Sequence, residues 1–396
     1  MAEHSPTRTP IAASRRPSGS RGVGSGVLAT FPVESLLGRP PVDLDMALPS
    51  EWIAGKRVMI TGAGGSIGSE LARQVASLGC THISLLDNCE FNLFEIDREL
   101  DESHPGLPRE AVLCDIRDAT RIESWMETEH PDVIFHAAAL KHVSLVEKHP
   151  CEGVLTNVVG TANVALAARR HGVSDLILIS TDKAVSPNNI MGATKRLTEQ
   201  FVRGLAHEAG STRFHVVRFG NVLGSAGSAA PVFQAQIERG GPIRVTHTEV
   251  ERYFMTIPEA VQLLMLASSM GTQRAAQNCS VFVLEMGEPV RIVDLARRRI
   301  ELNGLTPDKD IEIIIVGLRA GEKLSEDLVD WNEESTPAGV EGIVEVISKE
   351  REVLPEVVVR ELEKLARRGD GEAMRRRVFS LLPTAVTGEV EVQAAS

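Results

Sequence analysis

Three short stretches of this sequence combine residue types that can hold a charged ligand and move protons. The first is Thr61-Gly-Ala-Gly-Gly-Ser-Ile-Gly68, directly after an apolar run, with Gly62, Gly65 and Gly68 at G-x-x-G-x-x-G spacing. Glycines so placed permit a tight strand-to-helix turn and close approach to a pyrophosphate, and the following helix points its N-terminus at the phosphates. Gly62, Gly65, Ser66, Ile67 and Gly68 are therefore candidate dinucleotide contacts. Asp87 ends the next apolar run, 19 residues after Gly68. A carboxylate there accepts both ribose hydroxyls and repels a 2′-phosphate, which favours NAD over NADP. Asp115 and Ile116, ending a third run, are candidate adenine contacts, although a structural turn would also use an Asp there. The second stretch is Ser180-Thr-Asp-Lys-Ala-Val-Ser-Pro187, which leaves another apolar run. If that run is a parallel strand, Thr181, Asp182 and Lys183 sit at its ligand-bearing C-terminal end. A solvated turn with a surface ion pair is the plainer alternative. The third is Met191-Gly-Ala-Thr-Lys195. Lys195 can hold a ribose, whereas a thioether carries no proton, so Met191 can be neither acid nor base.

The elements that must position these residues are legible as an alternation. Apolar runs at Val58–Thr61, His82–Asp87, Ala111–Asp115, Val133–Ala137, Leu176–Ser180 and His215–Phe219 alternate with helical patterns such as Ile67, Leu71, Val75 and Leu78. That is the signature of an α/β fold, a Rossmann-type doubly wound parallel sheet buried on both faces. After about Ser225 the rhythm loosens. A strand at Val281–Leu284, expected to return to the sheet, a helix over Arg291–Asn303, a strand at Ile311–Val316 and a charged helix over Val357–Arg368 follow. The expected division is a tail over residues 1–35, an NAD-binding domain over 36–225, a smaller discontinuous α/β substrate-binding lobe mainly over 226–349, and a helical extension over 350–396 whose end frays from about Pro383.

The chain has 396 residues, enough for a large α/β unit with an appendage. Lys plus Arg number 42 and Asp plus Glu 54, a net charge of −12 that argues against a nucleic-acid binder. A few local cations still suffice for a diphosphate. No run approaches the ~18 apolar residues of a spanning helix, so no membrane span is expected. Met1 to Gly26 are rich in Ser, Arg, Pro and Gly and lack the apolar core of a signal peptide. The five cysteines, Cys80, Cys89, Cys114, Cys151 and Cys279, form no C-x-x-C pair, so no metal site is expected. Reduced, mostly buried thiols suit a cytoplasmic protein.

The glycine spacing resembles the short-chain dehydrogenase/reductase superfamily, whose enzymes usually carry a Tyr four residues before the Lys. Met191 stands in that place, and the single tyrosine, Tyr253, has no such Lys. The segments Thr61–Leu71, Ala137–Val143, Ser180–Lys195, Arg218–Gly224, Arg252–Pro258 and Gly317–Leu324 resemble the nucleotide-sugar 4,6-dehydratases of polysaccharide biosynthesis, capsular polysaccharide type. The resemblance runs from Leu36 to Lys349. Met for Tyr resembles the subgroup that makes UDP-4-keto-6-deoxy-N-acetylglucosamine with retention at carbon 5. This implies NAD as cofactor, with Ala137, Ala138 and Lys195 among its contacts, and a nucleotide sugar as substrate. NAD would take a hydride from carbon 4, water would leave across carbons 5 and 6, and the hydride would return to carbon 6. Elimination needs a base and an acid. Lys183 is the candidate base and Asp182 the candidate acid, with the roles open to reversal, and Thr181 the hydroxyl near the 4-oxygen. Lys141, Asn221, Arg252, Arg319 and Lys323 are candidate substrate contacts, and His142 could also face the cleft. Tyr253 and Phe254 read as packing residues. Ser144, Ala226, Ala320 and Ser325 depart from the family pattern, which usually has Pro, a larger polar residue, Pro and Tyr there. A homo-oligomer is expected, a dimer pairing through the helices of Asn157–Arg170 and Met191–His207. The alternatives are a sugar-nucleotide 4-epimerase and a non-catalytic NAD-binding regulator.

Overall fold

The computed structural model describes residues 36, 44–208, 210–272, 279–349 and 352–382. The expected tail over residues 1–35 and the end beyond Leu382 lie outside these residues. A nine-stranded sheet forms the centre: β1 (Arg57–Thr61), β2 (His82–Asp87), β3 (Arg109–Leu113), β4 (Val133–His136), β5 (Asp175–Ile179), β6 (Arg213–Arg218), β11 (Cys279–Leu284), β14 (Glu333–Pro337) and β15 (Ile343–Ser348). Their spatial order is β14-β15-β11-β6-β5-β4-β1-β2-β3. From β3 to β11 every neighbour is parallel, and β15 pairs antiparallel with both β11 and β14, which forms the far edge. The order reverses at β1, which lies between β2 and β4 with Thr61 beside His136. Open α/β sheets bind ligands outside such a reversal.

Helices cover both faces. α1 (Ala47–Ile53), α2 (Ser66–Ala76), α3 (Glu90–Ser103) and α10 (Ile257–Thr272) bury Leu71, Val75, Leu93, Ile96 and Leu264 against Ile60, Leu85 and Phe135. On the other face lie α4 (Ala119–Glu129), α5 (Val143–Lys148), α6 (Pro150–Gly153), a π-helical turn (Val154–Gly160), α7 (Thr161–Arg170) and α8 (Ile190–Ala206), packed on Met59, Leu176 and Val216. A third core gathers α9 (Ala229–Glu238), α11 (Ile292–Leu302) and small pairings around Phe233, Ile243, Phe254 and Ile300. There β7 (Asn221–Val222) pairs with β10 (Phe254–Met255), β8 (Ile243–Val245) with β13 (Ile313–Ile315), and β9 (Glu251–Arg252) with β12 (Val290–Arg291).

Three expectations change. The third strand runs over Arg109–Leu113, two residues earlier than the apolar run, because β2 pairs from Ile83 with Arg109 and Cys114 adds only one further backbone bond, to Asp87. The strand expected at Ile311–Val316 shrinks to Ile313–Ile315. The face of α7 and α8 through which two copies were expected to pair is covered by the chain itself. α12 (Glu356–Ala366) and α13 (Gly371–Ser380) bury Val359, Leu362, Met374 and Val378 in one core with Val154, Val158 and Phe201.

Candidate functional site

At the C-terminal end of β1 the chain turns through Gly62 at φ +70°. A Cβ on Gly62 would meet the Ala138 backbone N at 2.7 Å, and one on Gly68 would meet the Gly62 carbonyl oxygen at 2.0 Å. Neither position tolerates a side chain, so the glycines let α2 and the β4 end close on the turn. α2 starts at Ser66 with Gly65 as N-cap and no side-chain cap, which leaves its first amides free for an anion. Asp87 pins this turn, its Oδ2 accepting from Gly64 N and its Oδ1 from Cys89 N, each at 2.9 Å. The turn, the uncapped helix end and the neighbouring carboxylate together fit a dinucleotide. Asp115 instead spends its carboxylate on Arg117, whose Nη2 lies at 2.6 Å. Burial pushes Asp115 up, but the Arg117 hydrogen bonds outweigh it and hold the carboxyl below its ordinary value. Ile116 is 4% exposed and packs against Gly160, so its side chain belongs to the core.

Beneath the turn lies a residue that sequence reading passed over inside its strand. His136 is buried, with Nδ1 2.7 Å from Thr61 Oγ1 and Nε2 2.8 Å from Thr161 Oγ1. Desolvation, and secondarily the Lys195 charge, pushes its pKa down to about 3.

The β5 end carries the second group. Thr181 N-caps a short 3₁₀ turn, Asp182–Ala184. Asp182 is fully buried, and its Oδ1 accepts from Thr181 Oγ1 at 2.8 Å and from Lys183 Nζ at 2.9 Å. Lys183 Nζ also donates to Asn221 Oδ1 at 3.1 Å. α8 docks on this turn through Gly192, where a Cβ would meet the Lys183 carbonyl oxygen at 2.0 Å. Met191, in the first turn of α8, is 3% exposed. Lys195 Nζ donates to the Ile179 carbonyl at 2.6 Å, and burial, opposed by Glu199, lowers its pKa to about 8.

Lys183 opens onto a cleft whose lining includes Lys141, His142, Arg252, Arg319 and Glu326. Lys141 and Arg319 are exposed. Arg252 spends its guanidinium on the carbonyls of Glu251, Lys323 and Leu324, at 2.6–2.9 Å, and so clamps the 323–324 segment. Lys323 Nζ donates to the Val185 carbonyl at 3.2 Å. The structure thus brings Thr181, Asp182, Lys183 and Asn221 into one hydrogen-bonded group, with Lys141, Arg252 and Arg319 lining the cleft and Lys323 behind Glu326. It leaves Met191 and Ile116 in the core. Ala226 N donates to Ser66 Oγ at 3.1 Å and Gly227 packs on His142, so one loop touches both the glycine turn and the cleft. Glu326 went unnoticed in the sequence, although it stands only two residues beyond the Gly317–Leu324 motif. Its side chain is 3% exposed, and burial raises its pKa, with Lys183 opposing.

A model of the polysaccharide biosynthesis protein family matches residues 58–348. The chain is 48% identical over 302 residues to the capsular polysaccharide biosynthesis protein CapD of Staphylococcus aureus, covering 76% of this chain and 49% of that protein. It is 34% identical over 282 residues to a UDP-glucose 4-epimerase of Rickettsia rickettsii, 70% of this chain and 79% of that one. A crystal structure of the UDP-glucose 4-epimerase of Thermus thermophilus in complex with NAD superposes with a TM-score of 0.57 at 20% identity, over 69% of this chain and 90% of that one, a likeness of fold. The chain spans about half the length of the first curated relatives it matches. It belongs to the polysaccharide biosynthesis protein family.

Proposed function

We propose that this family member is a nucleotide-sugar-modifying enzyme, and specifically a UDP-N-acetylglucosamine 4,6-dehydratase acting with NAD and with retention at carbon 5. NAD, when bound, accepts a hydride and gives it back, so the overall reaction is redox-neutral. Gly62, Gly65, Ser66, Ile67 and Gly68 would hold its diphosphate on the α2 end, and Asp87 its adenosine ribose. Lys195 would hold the nicotinamide ribose. Thr181 faces the 4-oxygen, Lys183 takes the carbon 5 proton, and Asp182 bridges the two. Arg319, Lys141 and Lys323 draw the diphosphate of the substrate into the cleft, with Asn221 orienting Lys183 toward the sugar. The 4-keto-6-deoxy product would feed surface-glycan synthesis. A cytoplasmic homo-oligomer is the setting we propose, and no helix among the described residues is long and apolar enough to cross a membrane.

The observation that carries this reading is the contrast between Met191 and Lys183. The residue four before Lys195 is an apolar core side chain, while the proton-bearing groups, Thr181, Asp182 and Lys183, form one chain beside the cleft. A 4-epimerase needs proton transfer only at the 4-oxygen and has no use for a second acid–base group. The Rickettsia relative's name supports that second reading. A regulatory NAD binder needs neither group. The deciding experiment incubates the protein with UDP-N-acetylglucosamine in deuterium oxide and follows the product by proton NMR. The dehydratase reading expects a 6-deoxy methyl signal, deuterium at carbon 5 and no net NADH. A 4-epimeric hexose without a methyl group, or stoichiometric NADH, refutes it.

A further inference from the structure

The Asp182–Lys183 contact is a poor acid–base pair by itself. A carboxylate and an ammonium 2.9 Å apart stabilise each other's charged forms, whereas elimination needs a free amine and a protonated acid. A second carboxyl faces the same ammonium. Glu326 Oε1 lies 3.9 Å from Lys183 Nζ, and its carboxyl oxygens lie 4.0 Å from Arg252 Nη2 and 3.8 Å from Lys323 Nζ. These spacings exceed direct hydrogen bonds. Glu326 Oε2 is buried without a hydrogen-bond partner among the described residues, although the residue lines the cleft. A buried polar oxygen left unpaired costs stability and calls for a reason. A hydroxyl oxygen lying beside this 3.9 Å pair, on its cleft side, would be within hydrogen-bond reach of both Lys183 Nζ and Glu326 Oε1.

We propose that Glu326 is the acid that protonates the departing 6-hydroxyl, at the end of a relay Thr181–Asp182–Lys183–Glu326; the proposal rests on the dehydratase reading. One proton shared by Lys183 and Glu326 can sit as amine plus carboxylic acid, the form in which both are ready. Burial, which disfavours the charged carboxylate, favours that arrangement. Oxidation at carbon 4 releases the 4-hydroxyl proton through Thr181 to Asp182, which stores it. The Lys183 amine then takes the carbon 5 proton, and the electron pair of that C–H bond forms the C5–C6 double bond. The C6–O6 bond breaks, and O6 takes the Glu326 proton and leaves as water. When carbon 6 is reduced, Lys183 returns its proton to carbon 5. The proton held on Asp182 passes through Lys183 to Glu326. Over one cycle the 4-hydroxyl hydrogen is spent in the released water and every group returns to its starting state.

The test is Glu326→Gln beside Glu326→Asp, both loaded with NAD and compared with the wild type on UDP-N-acetylglucosamine. The amide keeps the volume and removes the acid. Its kcat is expected to fall by roughly 10²–10⁴-fold with KM changed less than about threefold, since only the proton transfer is lost. Oxidation at carbon 4 persists, so absorbance of protein-bound NADH should build up on substrate addition. The aspartate variant should recover part of the rate. The proposal is overturned if Glu326→Gln turns over like the wild type. It is equally overturned if both variants lose rate through a raised KM with no bound NADH, because Glu326 would then only gather the three cations. Wild-type protein that leaves the sugar unchanged instead removes the dehydratase reading, and the relay with it.

Discussion

Asp182, Lys183 and Met191 stand within ten positions of each other in sharply different environments. Asp182 accepts from two donors and Lys183 reaches the cleft, while Met191 fills volume beneath them. Asp182→Asn and Lys183→Ala should therefore fold and retain NAD, yet lower dehydration by roughly 10²–10⁴-fold each. Met191→Leu conserves apolar volume and should cost less than about 1.5 kcal/mol, with turnover close to wild type. Steady-state turnover together with denaturant melts separates the two classes, and a near-normal rate in Asp182→Asn refutes the relay. The grouping of Thr181, Asp182 and Lys183 was readable in the sequence because they are adjacent polar residues at the end of an apolar run. Glu326 was not, since an isolated Glu in a charged segment announces nothing until burial removes its water and three cations surround it.

The glycine turn and α2 act as one element, and Asp87 fastens them to β2. Gly68→Ala would drive a Cβ into the Gly62 carbonyl at 2.0 Å, so α2 must move away from the turn. The expected result is loss of NAD binding by more than about tenfold, measured by titration, with the sheet retained in far-UV circular dichroism. Asp87→Ala should narrow the preference for NAD over NADP, and it should also weaken both, because the Gly64 amide loses its acceptor. A wild-type protein that binds NADP as tightly as NAD would show that Asp87 serves the turn alone. Elements with a strong period were legible before the fold was seen. The first, second, fourth, fifth and sixth strands fell within a residue or two, and Arg291–Asn303 proved to be α11 at Ile292–Leu302. β14 was not legible. Its sequence Glu-Glu-Ser-Thr-Pro has no apolar alternation, and its place depends on Glu333, a single buried carboxylate that finds its partners on distant elements.

Those partners come from β6 and α8. Glu333 from β14 meets the fully buried Arg218 of β6 at 2.7 and 2.8 Å, the buried Arg196 of α8 at 3.0 Å and the slightly exposed Arg203 at 3.4 Å. Glu199 of α8 binds the other edge of Arg218 and the Ser180 hydroxyl, one residue before the Thr181–Lys183 group. The network thus ties the antiparallel edge, the helix of Lys195 and the Thr181–Lys183 turn into one unit. Removing one partner strands buried charge, so Glu333→Gln should destabilise the protein by about 3–5 kcal/mol at neutral pH. Burial pushes Glu333 up, but Arg218 outweighs it and holds the carboxyl well below its usual range, and Glu199 is held down by the same arginine. Carboxyl groups depressed in the folded state contribute stability above their unfolded value and lose it as pH falls below about 4.5. His136 acts in a higher window. Its folded pKa of about 3 lies below the ordinary 6.5, so the unfolded chain takes up a proton that the fold refuses. Stability should then begin to fall as the pH drops below about 6.5. Urea melts at pH 7.5, 5.5, 4.5 and 3.5 should show a first loss between the upper two and a steeper one below pH 4.5. In Glu333→Gln the first loss should persist and the second should shrink. Equal slopes in the variant and the wild type below pH 4.5 would show that the acid sensitivity of this fold arises elsewhere than at the Glu333–Arg218 junction.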